Sequence, residues 1–293
     1  MKVLVFGASG TIGRPLLTEL ARTHDVVAVS RTHQTARDGV EWKRADATDG
    51  YSVASVLDGV EVVYYLVHSL GSPDFEEQDI RAAETTAREA ERAGVRQIIY
   101  LGGLGDDTPE LSPHLRSRYE TGLRLASTSV PLTTLRAAVV VGRGSAAFET
   151  VVALVDRLPV MVAPRWVSSR TQPIALRDVV AYLSGVCGLE RTFGVDFDIG
   201  GPDVMTYREM IERIARLRKK RRLIVEVPVL TPYLSSLWLH LVTPVNAGVA
   251  RPLVEGLRNE TVVRDERIRK VLPIELTSFE SAARSAFEQI VPA

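Results

Sequence analysis

The feature that most constrains this chain is a glycine pattern close to its start, Gly7-Ala8-Ser9-Gly10-Thr11-Ile12-Gly13. It follows the apolar run 3–6 and runs into the stripe Ile12, Leu16, Leu17 and Leu20, which is the spacing of one helix face. A strand that passes through such a loop into a helix is the opening unit of a doubly wound parallel sheet. Gly7 permits the tight turn, Gly10 lets backbone approach a phosphate, and Gly13 lets the helix pack closely on the strand. Amides from Ser9, Gly10, Thr11 and Ile12 are then expected to point at a diphosphate, with the helix dipole adding a modest attraction.

The rest of the first half repeats that unit. Short apolar runs at 26–29, 40–42, 60–66, 95–101 and 133–141 read as strands, separated by a short amphipathic turn at 53–57 and by helices at 79–93 and 114–128. Strand–helix alternation gives an α/β fold, a Rossmann-type parallel sheet with helices on both faces. Such a domain accounts for residues 1–140 of the 293, so 141–293 are expected to build a smaller, mixed substrate-binding lobe with segments returning to the first domain. Helices are expected there at 148–158, 177–187 and 280–290, with a proline-punctuated loop at 159–173 and extended segments at 197–199 and 223–227. Thr206 followed by Glu209 reads as a capping box.

The end of the second strand discriminates between dinucleotides. An acidic residue there would accept both ribose hydroxyls and select NAD; this chain has Ser30-Arg31-Thr32 instead. Arg31 offers a planar fork to a 2'-phosphate, with the two hydroxyls assisting and Arg37 as a second clamp. The expected cofactor is therefore NADP, with NADPH preferred over NADH. Asp46 is placed to accept from the adenine amino group, with Ala47 against the ring. Leu66 and Val67 end the fourth strand where a cofactor crosses the sheet edge, and His68 faces either cofactor or substrate.

Charge bears on partners. The 36 basic and 36 acidic residues cancel, so no global field recruits nucleic acid, and the run Arg218-Lys219-Lys220-Arg221-Arg222 reads as a solvated helix end. Cys187, the single cysteine, excludes an intrachain disulfide and a multi-cysteine metal site; no metal ligands are assigned. Residues 225–249 are strongly apolar but broken by Pro228, Pro232, His240, Pro244 and Asn246, a poor membrane span. The first residues enter a strand directly, with no room for a signal peptide, so a cytoplasmic location is expected.

The glycine loop, Arg31, the segment from Tyr100 to Gly105, L-R-A-A-V-V-V-G-R-G from Leu135 to Gly144 and Q-P-I-A-L-R-D-V from Gln172 to Val179 together resemble the atypical short-chain dehydrogenase/reductase superfamily, in particular its extended-like, NmrA-like NAD(P)-binding proteins. The resemblance covers the chain to about Pro202. It implies a Tyr-x-x-x-Lys pair on the helix after the fifth strand and a serine near that strand's end, groups that polarise a carbonyl for hydride transfer. This chain departs from that pattern. Gly102 or Gly103 stands at the serine, His114 at the tyrosine and Arg118 at the lysine, and Tyr119 is followed four residues later by Leu123.

His114 and Arg118 lie one helical turn apart on one face. A protonated His114 is expected to donate to a substrate oxygen, and Arg118 to hold the nicotinamide ribose. An NADP-dependent oxidoreductase acting on a hydrophobic carbonyl, quinone or activated alkene is one reading; an NmrA-like redox sensor or scaffold without turnover is another, and an epimerase or lyase a third. Phe148, Met161, Trp166 and Trp238 are candidates to line an apolar substrate chamber, with Arg165 or Arg170 meeting a negative group. A monomer or a homodimer is compatible with the resemblance.

Overall fold

The computed structural model describes residues 1–34, 40–69, 72, 74–105, 111–227 and 259–288. Arg37 and the apolar stretch with Trp238 lie outside them, as do the side chains of Arg165 and Trp166. Seven parallel strands form the central sheet: β1 (Lys2–Phe6), β2 (Asp25–Ser30), β3 (Glu41–Arg44), β4 (Val62–Tyr65), β5 (Gln97–Gly103), β6 (Leu132–Ala137) and β11 (Asp196–Ile199). Their order is β3-β2-β1-β4-β5-β6-β11. Valine, isoleucine and leucine dominate the inner strands β1, β2, β4 and β5, because a parallel sheet with helices on both faces has no wet side there, whereas the edge strand β3 is Glu-Trp-Lys-Arg.

The chain leaves β3 at one edge and returns as β4 beside β1, so the winding reverses between β1 and β4. A crevice at the carboxyl ends of these two strands is where doubly wound sheets take ligands. Helix α1 (Gly13–Leu20) rises from the crevice, burying Leu16, Leu17 and Leu20 against the sheet. Helix α2 (Gly50–Ala54) follows β3. Helices α3 (Phe75–Arg92) and α4 (Pro113–Leu125) cover the opposite face, where Ala82, Ala83 and Ala90 allow close approach to the sheet. Helix α3 starts four residues before the expected boundary, since Glu76 and Glu77 suit the positive end of a helix dipole. Ser112 caps α4 by accepting from the amide of Leu115, with Pro113 in the first turn.

Beyond β6 the chain leaves the sheet. The expected strand 133–141 is two strands, because β7 (Val140–Val141) turns away to pair with β10 (Ile174–Ala175). Helix α5 (Ala146–Arg157) leads to β8 (Val160–Pro164) and β9 (Arg170–Thr171), inside a segment that reads as loop. Their partners are distant in sequence: β8 pairs with β13 (Leu223–Val227), and β9 with β12 (Met205–Thr206). Helix α6 (Leu176–Gly185) packs on α1 beside the central sheet before β11 joins it.

Among the described residues, helices α7 (Tyr207–Leu217) and α9 (Phe279–Glu288) belong to the second lobe, and α8 (Arg267–Val271) is a short helix that the sequence pattern does not announce. The capping box is present: Thr206 accepts from the amide of Glu209, whose carboxylate takes the amide of Thr206. Phe148 and Met161, expected to line a chamber, are 2% and 3% exposed in this lobe's own core, where Phe148 stacks on Phe287 at 6.0 Å. Hydrophobic burial has claimed them, as it does most apolar side chains of this size. The basic run is not simply solvated either: Arg218 and Lys220 reach Asp156 at 2.8 and 2.6 Å, and Arg222 donates to the carbonyl of Val155.

Candidate active site

The glycine loop is built for close approach. Gly7 has φ +79°, and a Cβ there would stand 2.6 Å from the carbonyl oxygen of Leu66; one on Gly13 would stand 2.5 Å from that of Gly7. Strand β1, the end of β4 and the start of α1 thus meet at distances that side chains forbid. Gly10 donates its amide to Gly7 O at 3.0 Å, so this amide closes the turn and those of Ser9, Thr11 and Ile12 remain as candidates for an anion. Beside the loop, a cavity of about 620 Å³ is bordered by Ser9, Gly10, Thr11, Arg14, Arg143 and Arg177. Glycine-cradled backbone at a helix start with basic side chains around it fits a diphosphate.

At the other side of the loop, Ser30 and Thr32 approach each other at 3.3 Å, and the amide of Thr32 also donates to Ser30 Oγ. Between them Arg31 is exposed at the carboxyl end of β2. Asp46 takes the amide and hydroxyl of Thr48 on Oδ1 at 2.9 and 2.8 Å. The Thr48 amide bond, chiefly, holds its carboxyl below the ordinary value, and the charge of Arg31 adds to this. Asp46 thus has Oδ1 committed to the turn, and Ala47 beside it is buried.

The ends of β4 and β5 carry the remaining candidates. Arg118 on α4 donates to the carbonyl oxygens of Val67, at 3.3 Å, and Leu101, and its guanidinium lies 4.8 Å from the ring centre of Tyr100. It clasps two neighbouring strand ends to α4. Near it, Nε2 of His68 meets Nδ1 of His114 at 3.2 Å, and Nδ1 of His68 meets Oδ2 of Asp79 at 2.7 Å. Asp79 also takes the amide of Ser69 at 2.9 Å and the hydroxyl of Ser117 at 3.3 Å. Phe75 packs edge-on against His68.

This geometry corrects one expectation. Burial, then the charges of His68 and Arg118, push His114 down to about 3, so near neutral pH it is an uncharged imidazole and not the protonated donor expected. Burial likewise lowers His68 against the pull of its bond to Asp79. For Asp79, burial favours the neutral acid, but the bonds from His68 and Ser69 outweigh it and hold the carboxyl below its usual value.

Asp79, which anchors this line, is not among the residues the sequence singles out. Its signal was nonetheless present: Asp79, Ala82, Ala83, Thr86 and Ala90 fall on one helical stripe, so the acid sits on the buried face. The missing serine has a steric counterpart, since a Cβ on Gly103 would stand 2.8 Å from Leu115 Cδ2, and one on Gly102 3.2 Å from the Tyr100 ring.

Residues 7–128 match the NAD(P)H-binding family. Among curated proteins, the chain is 25% identical over 225 residues to the mitochondrial NADH dehydrogenase [ubiquinone] 1 alpha subcomplex subunit 9 of Arabidopsis thaliana, a match that takes in 71% of this chain and 56% of that protein. The chain thus spans little more than half the length of this relative. Among solved structures, it resembles a nucleoside-diphosphate-sugar epimerase of Staphylococcus aureus, with TM-score 0.78 at 15% identity over 97% of this chain and all of the other. It equally resembles the NADPH-dependent quinone oxidoreductase of Escherichia coli in complex with NADPH, with TM-score 0.78 at 20% identity over 99% of this chain and all of the other. At these identities the likeness is one of fold. No helix among the described residues is long and apolar enough to cross a membrane.

Proposed function

For a chain with an NAD(P)H-binding domain on the fold of the atypical short-chain dehydrogenase/reductase superfamily, we propose an NADP-dependent oxidoreductase that passes a hydride to a hydrophobic carbonyl, quinone or activated alkene. The observation that carries this reading is the line of Asp79 on α3, His68 and His114 on α4, with His68 just beyond the carboxyl end of β4, the strand paired with β1 from which the glycine loop leaves. A hydride acceptor needs a proton source at the oxygen or carbon that gains charge, and paired histidines tied to a carboxylate are able to handle one.

Bound at the loop, the dinucleotide would supply the hydride and leave positioning and proton handling to the protein. Ser9, Thr11 and Ile12 would take its diphosphate, Arg31 its 2'-phosphate, and the backbone at Gly102 would border its nicotinamide end. Arg118 keeps the strand ends at a fixed separation through Val67 and Leu101, and so positions His68, one residue beyond Val67. The name of the Escherichia coli neighbour, a quinone oxidoreductase, supports the substrate class; an exposed arginine, Arg31, at the end of β2 in place of an acidic residue supports NADPH over NADH.

A second reading, a dinucleotide-responsive sensor without turnover, draws on Gly103, which stands where the usual serine would be and has the end of the Leu115 side chain packed where that serine's Cβ would lie. Titration of the purified protein with NADPH, NADP+, NADH and NAD+, followed by a screen of quinones and aldehydes for NADPH oxidation, separates the two. Selective NADPH binding that Arg31→Ala weakens about tenfold or more, with turnover, is the expected outcome, the loss corresponding to one charge-assisted contact. NADPH binding without turnover on any acceptor supports the sensor, and failure to bind all four dinucleotides rejects both.

A further inference from the structure

We propose that Asp79 and His68 are positioning residues that fix the tautomer of His114, so that its Nδ1 carries the proton and its Nε2 is a bare acceptor in the resting protein. The inference deepens the oxidoreductase reading, on which its catalytic meaning rests. It follows from counting donors along the chain of contacts. The amide of Ser69 is an obligate donor and occupies Oδ1 of Asp79 at 2.9 Å. Oδ2, at 2.7 Å from Nδ1 of His68, then faces a ring nitrogen that must carry the hydrogen, since two acceptors at that distance repel. A neutral His68 has one N–H, so its Nε2 is a lone pair, and Nδ1 of His114 at 3.2 Å must donate to it.

The remaining nitrogen, Nε2 of His114, is left without a proton. Asp79 is 1% exposed and Ser117, which donates to it, is buried as well, so water does not compete for the anchoring end of the line. Among the described residues, the charged or titratable groups that face the two imidazoles are Asp79 on α3 and Arg118 on α4. Nearby, Tyr65 and Tyr100 are kept as neutral phenols by burial, Tyr100 pushed up to about 12.

Resting His114 is thus a base. It becomes an acid when the line takes up one further proton, which Asp79 allows to rest on His68 as an imidazolium paired with its carboxylate. His68 then donates from Nε2 to Nδ1 of His114, and His114 carries its hydrogen on Nε2. When a reduced substrate presents an oxyanion, the Nε2–H bond of His114 breaks as the substrate O–H forms. Nδ1 of His114 takes the proton from Nε2 of His68, and the line returns to its resting state with no net change beyond the proton delivered. Oxidation of an alcohol runs the same transfer backward.

The near-isosteric Asp79→Asn gives a sharp test. Its amide oxygen must stay with the Ser69 N–H, which turns the amide nitrogen, a donor, toward Nδ1 of His68. His68 must then carry its hydrogen on Nε2, donate to His114 and force the hydrogen of His114 onto Nε2: both tautomers invert. Long-range 15N–1H correlation spectra of protein labelled at its five histidines, near neutral pH and without dinucleotide, read this directly.

The expected result is Nδ1–H at both His68 and His114 in the unaltered protein, and exchange of the protonated and bare 15N signals between the two nitrogens of both rings in Asp79→Asn. Nε2–H at either ring of the unaltered protein, or unchanged His114 tautomer in a folded Asp79→Asn, overturns the proposal. The unaltered protein alone is decisive if the variant does not fold. Because no cofactor takes part, correct tautomers in a protein that binds no dinucleotide would reject the oxidoreductase reading and leave the tautomer assignment intact.

Discussion

Thr11, in the glycine loop, donates its hydroxyl to the carbonyl oxygen of Gly144 at 2.8 Å, across 133 residues of chain. The loop at the start of α1 is thereby fastened to the segment that carries the chain into the second lobe. Gly144 has φ +82°, and a Cβ there would stand 2.9 Å from that same hydroxyl oxygen. Gly144→Ala combines left-handed backbone strain with the loss of this contact, and is expected to lower stability by about 1–3 kcal/mol. Urea denaturation checks it; a change under about 0.5 kcal/mol, the usual range for surface substitutions, would show that the segment relaxes freely.

Restoring the missing serine should fail. In Gly103→Ser the new Cβ meets Leu115 Cδ2 at 2.8 Å, and α4 must shift or Leu115 change rotamer, at about 1–3 kcal/mol. Reductase activity is expected to stay the same or fall. A gain in kcat would mean that the site retains the geometry of the usual serine-dependent chemistry.

The histidine pair predicts a pH dependence of stability. A buried histidine whose pKa falls below its unfolded value of about 6.5 contributes stability that is complete above that value and is lost as pH falls, because the unfolded chain binds protons that the folded one refuses. For His114 the window runs from about 6.5 down to about 3. Its slope is at most about 1.4 kcal/mol per pH unit. Thermal unfolding measured from pH 7.5 to 4.5 should show a midpoint that drops through this range in the unaltered protein and drops less in His114→Gln. Parallel curves for the two would reject the assignment.

Asp178 offers a test of how the lobes are joined. Its buried carboxylate takes both the amide and the hydroxyl of Thr277, each at 2.7 Å, just ahead of α9. Asp178→Ala leaves those donors without their partner and should cost about 2–4 kcal/mol. Equilibrium unfolding is the measure, with Thr277→Val expected to cost less because it removes only the hydroxyl while the carboxylate keeps the amide.

Much of the first lobe was legible because its signals are local. Strand, glycine loop and helix follow within 20 residues, and apolar runs at the right spacing specify a parallel sheet without knowledge of any partner. Arg31 could likewise be placed, since the end of β2 is fixed by the strand itself. What tertiary structure decided lies in pairings between distant residues. β8 and β9 read as loop because β13 and β12, which complete their hydrogen bonds, lie more than thirty residues further on. Phe148 and Met161 have the side chains of a ligand chamber, but apolar groups serve a core equally well, and α7 and α9 enclose them. His114 could be placed on its helix from sequence, whereas its charge could not, because that depends on burial and on His68 and Arg118 arriving from elsewhere. Asp79 shows the same division: its helical register marked it as buried, and only the fold supplied the histidine that makes a buried carboxylate useful.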